Sequence, residues 1–168
     1  MPDGAIVIRQ LTAADADAYR ELRLQGLRDH PQAFGADADE EADWPMRVWQ
    51  ARLDARTTLG AFRNGALIGT AALALMPGRK QSHRGKLVGM YVAPGGRSTG
   101  VGRRLVESVL ELARGRVETV ELSVFIGNAP AIALYLACGF RPYAVDQDAI
   151  RVDGQAVDDV LMQRSTTV

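Results

Sequence analysis

Apolar and polar positions along the chain change period several times, and each change marks an element. AIVIRQ near the amino end reads as a first strand. Thr12, with Asp15 three residues on, opens a helix toward His30 in the manner of a capping box, and Ala16, Tyr19, Leu22 and Leu27 keep the helical spacing. Asp37 to Asp43 holds five acids and no base and interrupts the pattern, before a second helical segment around Val48 to Leu53. TLGAFR and ALIGTAALALM flank Asn64-Gly65, a dipeptide suited to the positive φ angles of a type I′ turn, so they predict a hairpin. KLVGMYV follows as a third central strand, ended by Pro94, Gly95 and Gly96. Val101, Leu105, Val109 and Leu112 fall on one face of a helix over 101–114. VETVELSV alternates through Val120, Leu122 and Val124, a short helix runs from Pro130 to a Gly139 cap, and Asp153-Gly154 turns one closing strand into another. The order predicts a mixed α/β (α+β) fold with antiparallel hairpins at both ends.

Composition narrows the class. At 168 residues, with 47% hydrophobic and 24% charged residues, the chain is long enough to bury one core and too apolar for disorder, so a single domain over 1–168 is expected. The one cysteine, Cys138, has no partner for an internal disulfide, and no Cys and His stand at zinc-ligand spacing, so no metal is expected and a reducing cytoplasm fits. The opening residues lack the apolar stretch of a signal peptide, and the longest apolar run, Ala66 to Met76, is too short to cross a bilayer. A cytoplasmic protein without membrane partners is the expectation. Formal charge is zero, and no aromatic residues are interleaved with the arginines for base stacking, which argues against nucleic acid. Charge is local instead. Arg79, Lys80, Arg84, Lys86, Arg97, Arg103 and Arg104 lie between Gly78 and Arg104 with no acid among them, while acids gather at Asp37 to Asp43 and at Asp146 to Asp159. An anion is expected at the basic stretch.

Within it, the segment MYVAPGGRSTGVGRRLV breaks a strand at Arg97-x-x-Gly100-x-Gly102 and passes directly into the amphipathic helix. Such a loop turns backbone N–H groups inward, and the helix behind it adds about half a positive charge at its N-terminus, so together they suit a phosphate or diphosphate. Arg97 and Arg103 add charged donors. Neither G-x-x-x-x-G-K-S/T nor G-x-G-x-x-G follows this strand, which argues against a nucleoside triphosphatase or a dinucleotide enzyme.

The chain resembles the GNAT superfamily of N-acetyltransferases. Arg97-x-x-Gly100-x-Gly102 matches the family's pyrophosphate loop, Arg/Gln-x-x-Gly-x-Gly/Ala, and NAPAIALYLACGF matches its Asn-x-x-Ala-x-x-Leu-Tyr-x-x-x-Gly-Phe through Asn128, Ala131, Leu134, Tyr135, Gly139 and Phe140. The resemblance implies a single-domain, mixed, mostly antiparallel sheet flanked by helices, whose fourth and fifth strands splay apart around acetyl-CoA, the co-substrate. It implies that Arg97, Ser98, Thr99, Gly100, Val101, Gly102 and Arg103 hold the pyrophosphate. Backbone groups at Met90, Tyr91 and Val92 would meet the pantetheine arm, and Asn128 would bond that arm or cap the following helix. Tyr135 is implied as the acid that protonates the departing thiolate, although a tyrosine on this helix taken alone reads as packing. The general base stays open among Glu121, His83 and a water chain. Ser123 stands where some protein N-terminal acetyltransferases of the family carry glutamate, which favours a small amine over a polypeptide acceptor. Phe34, Trp44 and Trp49 lie in the region of the acceptor wall, and Glu40 and Glu41 within the first acid cluster suit attraction of an ammonium group. Cys138 reads as a small buried hydrophobe. Direct transfer to a primary amine in a ternary complex is implied, with a homodimer as the common assembly; the alternative is a non-catalytic acyl-CoA binding module.

Overall fold

The computed structural model describes residues 4–167 and joins seven strands in one sheet. They are β1 (Ile6–Gln10), β2 (Thr58–Arg63), β3 (Ala66–Leu75), β4 (Arg84–Val92), β5 (Thr119–Phe125), β6 (Arg141–Val152) and β7 (Gln155–Ser165), in the order β1-β2-β3-β4-β5-β7-β6. Asn64 and Gly65 have φ of 50° and 79°, and Asp153 and Gly154 of 50° and 77°. Both hairpins therefore close as the two dipeptides predict, with positive φ at each central residue.

Five α-helices accompany the sheet among the described residues: α1 (Ala16–Asp29), α2 (Ala38–Ala42), α3 (Met46–Asp54), α4 (Val101–Ala113) and α5 (Ala129–Ala137). A single 3-10 turn, Ala13–Asp15, precedes α1, and the Asp15 carboxylate accepts the Thr12 N–H at 2.8 Å. Arg9 donates to the same carboxylate at 2.8 and 2.9 Å and is the main reason that its carboxyl is pushed down to about 2. The helix predicted from Pro130 begins one residue earlier, at Ala129, under an Asn128 cap.

Two cores follow from the alternation of β3. Ile68 packs with the core of α4, where Val101, Leu105, Val106, Val109 and Ala113 are buried against Leu73, Leu87, Val120 and Leu122. Its neighbour Leu67 packs with Leu11, Tyr19, Leu27, Trp49 and Leu53 beneath α1 and α3. Consecutive strand residues face opposite ways, so α4 and α5 lie on one face of the sheet and α1 and α3 on the other.

The acidic stretch folds differently from its reading as an interruption. It forms α2, because the Asp37 side chain accepts the N–H groups of Asp39 and Glu40 at 2.9 and 3.1 Å and caps the helix. Glu41, only 3% exposed, is gripped by Arg23 at 3.0 and 3.1 Å, with Arg52 at 3.7 Å. That ion pair ties α2 to α1 and α3. Removing one partner of a buried pair strands the other charge, so Glu41→Ala is expected to destabilise the fold by about 3 kcal/mol. Chemical denaturation checks this; a midpoint equal to that of the unmodified protein would disprove it.

The pairing that positions the site is the parallel one. β4 and β5 touch only at Arg84–Thr119, Gly85–Val120 and Lys86–Glu121. Beyond these, β4 continues along β3 through a bulge at Gly89, where φ is 62°, while β5 continues along β7. The two strands part, as the resemblance implies, and the peptide groups of Leu87 to Val92 on the side facing β5 have no ladder partner.

Candidate active site

A cleft of about 670 Å³ occupies the parting of β4 and β5. Met90, Tyr91, Val92, Arg97, Ser98, Gly102, Asn128, Tyr135 and Phe34 are all in its wall. On the α1 and α3 side lies a second cavity of about 560 Å³, and Phe34, Leu87, Gly89 and Ser123 border both. The cavities meet where the strands separate, so a ligand in one can touch a ligand in the other.

At one end of the cleft the chain turns from β4 into α4. Ser98 and Gly100 have φ of 60° and 80°, and the backbone N–H groups of Ser98 through Arg103 find no acceptor among the described residues. These donors converge with the positive end of α4 into an anion cradle. Glycine serves two different ends here. At Gly100 the left-handed backbone requires it. At Gly102 an added Cβ would come within 3.3 Å of Leu134 and of Met90, so the first turn of α4 packs closely on α5 and β4. Thr99, Gly100, Val101 and Arg103 belong to this turn but not to the cleft wall. The Thr99 hydroxyl donates to the Gly96 carbonyl, and Val101 is buried in the core. The Arg103 side chain is exposed and pairs at 2.8 Å with Glu107 one turn along α4.

Arg97 donates from Nε to the Val92 carbonyl at 3.1 Å and from Nη2 to His30 Nε2 at 3.0 Å. Tyr91, under it, donates to Asp29 at 3.2 Å. Burial first, then Asp29, pushes the Tyr91 phenol up. His30 also lines the cleft, a place that no local signature of a histidine ending a helix announces.

Across the gap, Asn128 caps α5 by accepting the Ala131 N–H at 3.2 Å and still faces the cleft. Tyr135 on α5 is 6% exposed and lies edge-on to Phe140 at 6.0 Å. Burial pushes its phenol well above the usual tyrosine value, with a smaller contribution from Cys138, so it is protonated at neutral pH. Cys138 is buried, and that burial pushes its thiol up, away from thiolate chemistry.

Of the groups considered as bases, Glu121 is held in an ion pair with Arg84. His83 lines neither cavity; its carbonyl accepts the N–H groups of Glu118 and Thr119. Ser123 sits where the cavities join. Glu41 requires correction as an acceptor-binding acid, because it is buried and spent on Arg23 and Arg52, and neither it nor Glu40 lines either of the two cavities. The acids that do line the second cavity are Asp146 and Asp159, directly opposite each other on β6 and β7. Burial and then Asp146 push the Asp159 carboxyl up, with Lys86 pulling the other way. Trp49 is wholly buried between Tyr19 and Trp44, and Arg52 stacks 4.7 Å over Trp44. No helix is long and apolar enough to cross a membrane, among the described residues.

Comparison with known proteins places this geometry in a family. Residues 19–140 match the Acetyltransferase (GNAT) family. Along 96% of its length the chain is 30% identical to the N-alpha-acetyltransferase RimI of Mycobacterium tuberculosis, covering 93% of that protein. It is 28% identical to the L-amino acid N-acetyltransferase AaaT of Escherichia coli, over 95% of this chain and 97% of that one. Among solved structures, yncA of Salmonella typhimurium, a putative acetyltransferase with its cofactor acetyl-CoA, superposes with a TM-score of 0.81 at 22% identity, covering 98% of this chain and 96% of that chain.

Proposed function

The chain belongs to the Acetyltransferase (GNAT) family and is an acetyl-CoA-dependent N-acetyltransferase, and from that premise we propose how its two cavities divide the reaction. The larger cleft takes acetyl-CoA, and the second cavity takes a primary amine. The observation that carries this reading is the parting of β4 and β5, which joins an anion cradle at one end to an acid-lined cavity at the other.

The residues present fit the co-substrate. Unpartnered N–H groups from Ser98 to Arg103 suit a diphosphate, and the free peptide edge of β4 suits the amides of a pantetheine arm. When bound, acetyl-CoA supplies an acyl thioester open to a neutral amine. Tyr135 holds a proton at the cleft wall for the leaving sulfur, and Asn128 faces the same arm. The phenol stays protonated until it is needed, because burial disfavours its charged form.

The acceptor is a small cationic amine. Asp146 and Asp159 have no hydrogen-bonded or ion-paired partner among the described residues, and like charges directly opposite on neighbouring strands repel until a cation lies between them. An ammonium group drawn to them enters beside Ser123, at the junction of the cavities. Relatives named as an L-amino acid N-acetyltransferase and as an N-alpha-acetyltransferase set the range of acceptors to be tried. Asp159→Asn is expected to raise KM for a cationic acceptor about three- to tenfold, with kcat and acetyl-CoA affinity little changed. Equal KM in both proteins would remove Asp159 from acceptor recognition.

A thiol-release assay against a panel of diamines, polyamines, amino acids and short peptides tests the whole reading. Release of CoA with a small cationic amine is expected. Absence of release with every amine, while acetyl-CoA still raises the melting temperature, would leave only a non-catalytic acyl-CoA binding module.

A further inference from the structure

The contact between Arg97 and His30 carries a consequence for ligand affinity. A guanidinium is never an acceptor and does not lose its proton, so at 3.0 Å it is Arg97 that donates and His30 Nε2 that accepts. Arg97 is turned back over the cleft, its Nε on the Val92 carbonyl and its carbon 5.9 Å from the centre of the Tyr91 ring. The His30 ring lies 6.2 Å from the same tyrosine. Both side chains line the cleft, and they reach it from different directions: His30 from the end of α1, Arg97 from the loop whose N–H groups are unpartnered.

Protonation of His30 in the absence of a ligand sets two cations against each other and removes the acceptor that Arg97 uses. An anion between them reverses the balance. The imidazolium then becomes a second charged donor to that anion, and Arg97 loses nothing by releasing the ring. The other charged and titratable groups near His30 are Asp29, which is engaged by the Tyr91 hydroxyl, Arg28 on the same helix, and Asp146 and Asp159 along the neighbouring cavity past the Pro31–Ala33 turn.

We propose that His30 is a second, titratable ligand for the diphosphate of the acyl donor, acting opposite Arg97, so that donor binding takes up a proton and tightens as the medium becomes more acidic. This rests on the reading of the larger cleft as the acetyl-CoA site. Linkage requires the two effects together: if the protonated ring binds the anion better, the bound anion makes the ring hold its proton better.

Calorimetry in buffers of different ionisation enthalpy measures the proton uptake directly. Dephospho-CoA is the probe of choice, because it keeps the diphosphate and lacks the monoester phosphate that titrates in the same range. His30→Gln is the variant: glutamine still offers Arg97 an acceptor oxygen but takes no proton. His30 is exposed, and an unchanged melting temperature of the variant without ligand confirms its folding. The unmodified protein is expected to take up protons on binding dephospho-CoA between pH 6 and 7.5, and the variant to show little uptake. Affinity in the variant is expected to fall about five- to tenfold at pH 6 and to match the unmodified protein at pH 8. Pantetheine, which has no diphosphate, is expected to bind both proteins without pH dependence.

Equal proton uptake in the two proteins overturns the proposal, as does an affinity loss of the same size at pH 6 and pH 8, which would make His30 only a brace for Arg97. If neither CoA nor dephospho-CoA binds the unmodified protein at all, the reading of the cleft fails first and the proposal falls with it.

Discussion

Replacing Tyr135 by phenylalanine is expected to lower kcat by about 10²- to 10⁴-fold, the usual contribution of a general acid, while leaving acetyl-CoA affinity nearly unchanged. The ring contributes the packing, edge-on to Phe140 in the core of α4 and α5, and phenylalanine keeps it. What disappears is one proton donor. A phenol pushed up by burial is a weak acid, so transfer depends on the leaving sulfur also being desolvated by the same wall, which raises the affinity of the thiolate for a proton. The defect should therefore shrink for acyl donors whose leaving thiol is more acidic, because such a thiolate departs with less help. Steady-state kinetics with two donors makes the comparison. Full activity in the variant would assign the proton to water or another group, and loss of acetyl-CoA binding would make Tyr135 structural.

The second large effect is expected at Gly100. Glutamate there is expected to weaken acetyl-CoA binding by about 100-fold or more, because it sets a like charge against the diphosphate at the entrance to α4. Ligand at 100 times its Kd stabilises a protein by about 2.7 kcal/mol, so the rise in melting temperature seen with the unmodified protein should vanish in Gly100→Glu. The backbone itself must be controlled for, since φ of 80° disfavours any side chain. Asparagine tolerates that conformation and is neutral, so Gly100→Asn is expected to retain most of the shift. A full shift in Gly100→Glu would move the anion away from this loop.

How much of this was legible before the fold depends on how far apart the interacting residues are. The Asn64-Gly65 and Asp153-Gly154 turns read correctly because a type I′ turn is decided by two residues and their φ angles. The face of α4 read correctly because the helical period is a property of a dozen consecutive positions; only Leu112 is less buried than expected. The acidic stretch read poorly. Charge alone suggested an ammonium trap, and nothing near Glu41 in sequence announces Arg23 and Arg52 closing on it from two other helices. Arg103 is the opposite case, with its partner close in sequence. It stands inside the anion motif, yet the helix it belongs to offers Glu107 one turn away, and a local partner takes the side chain.

What the sequence determined by itself, then, was every element whose cause is local: strand and helix periods, two hairpin turns, the glycine-bearing loop before α4, and the two motifs that mark the family. Tertiary structure alone decided which charges face the cavities. It placed Asp146 and Asp159, not Glu40 and Glu41, in the wall of the second cavity, and it brought His30 to Arg97 across a separation of 67 residues. The physical reason is the same in each case. A period or a turn is set by the conformational preferences of neighbouring residues, whereas the partner of a charged side chain is whichever opposite charge the packed layers bring within reach. That choice is made only when α1 and the β6–β7 hairpin close over the parting of β4 and β5.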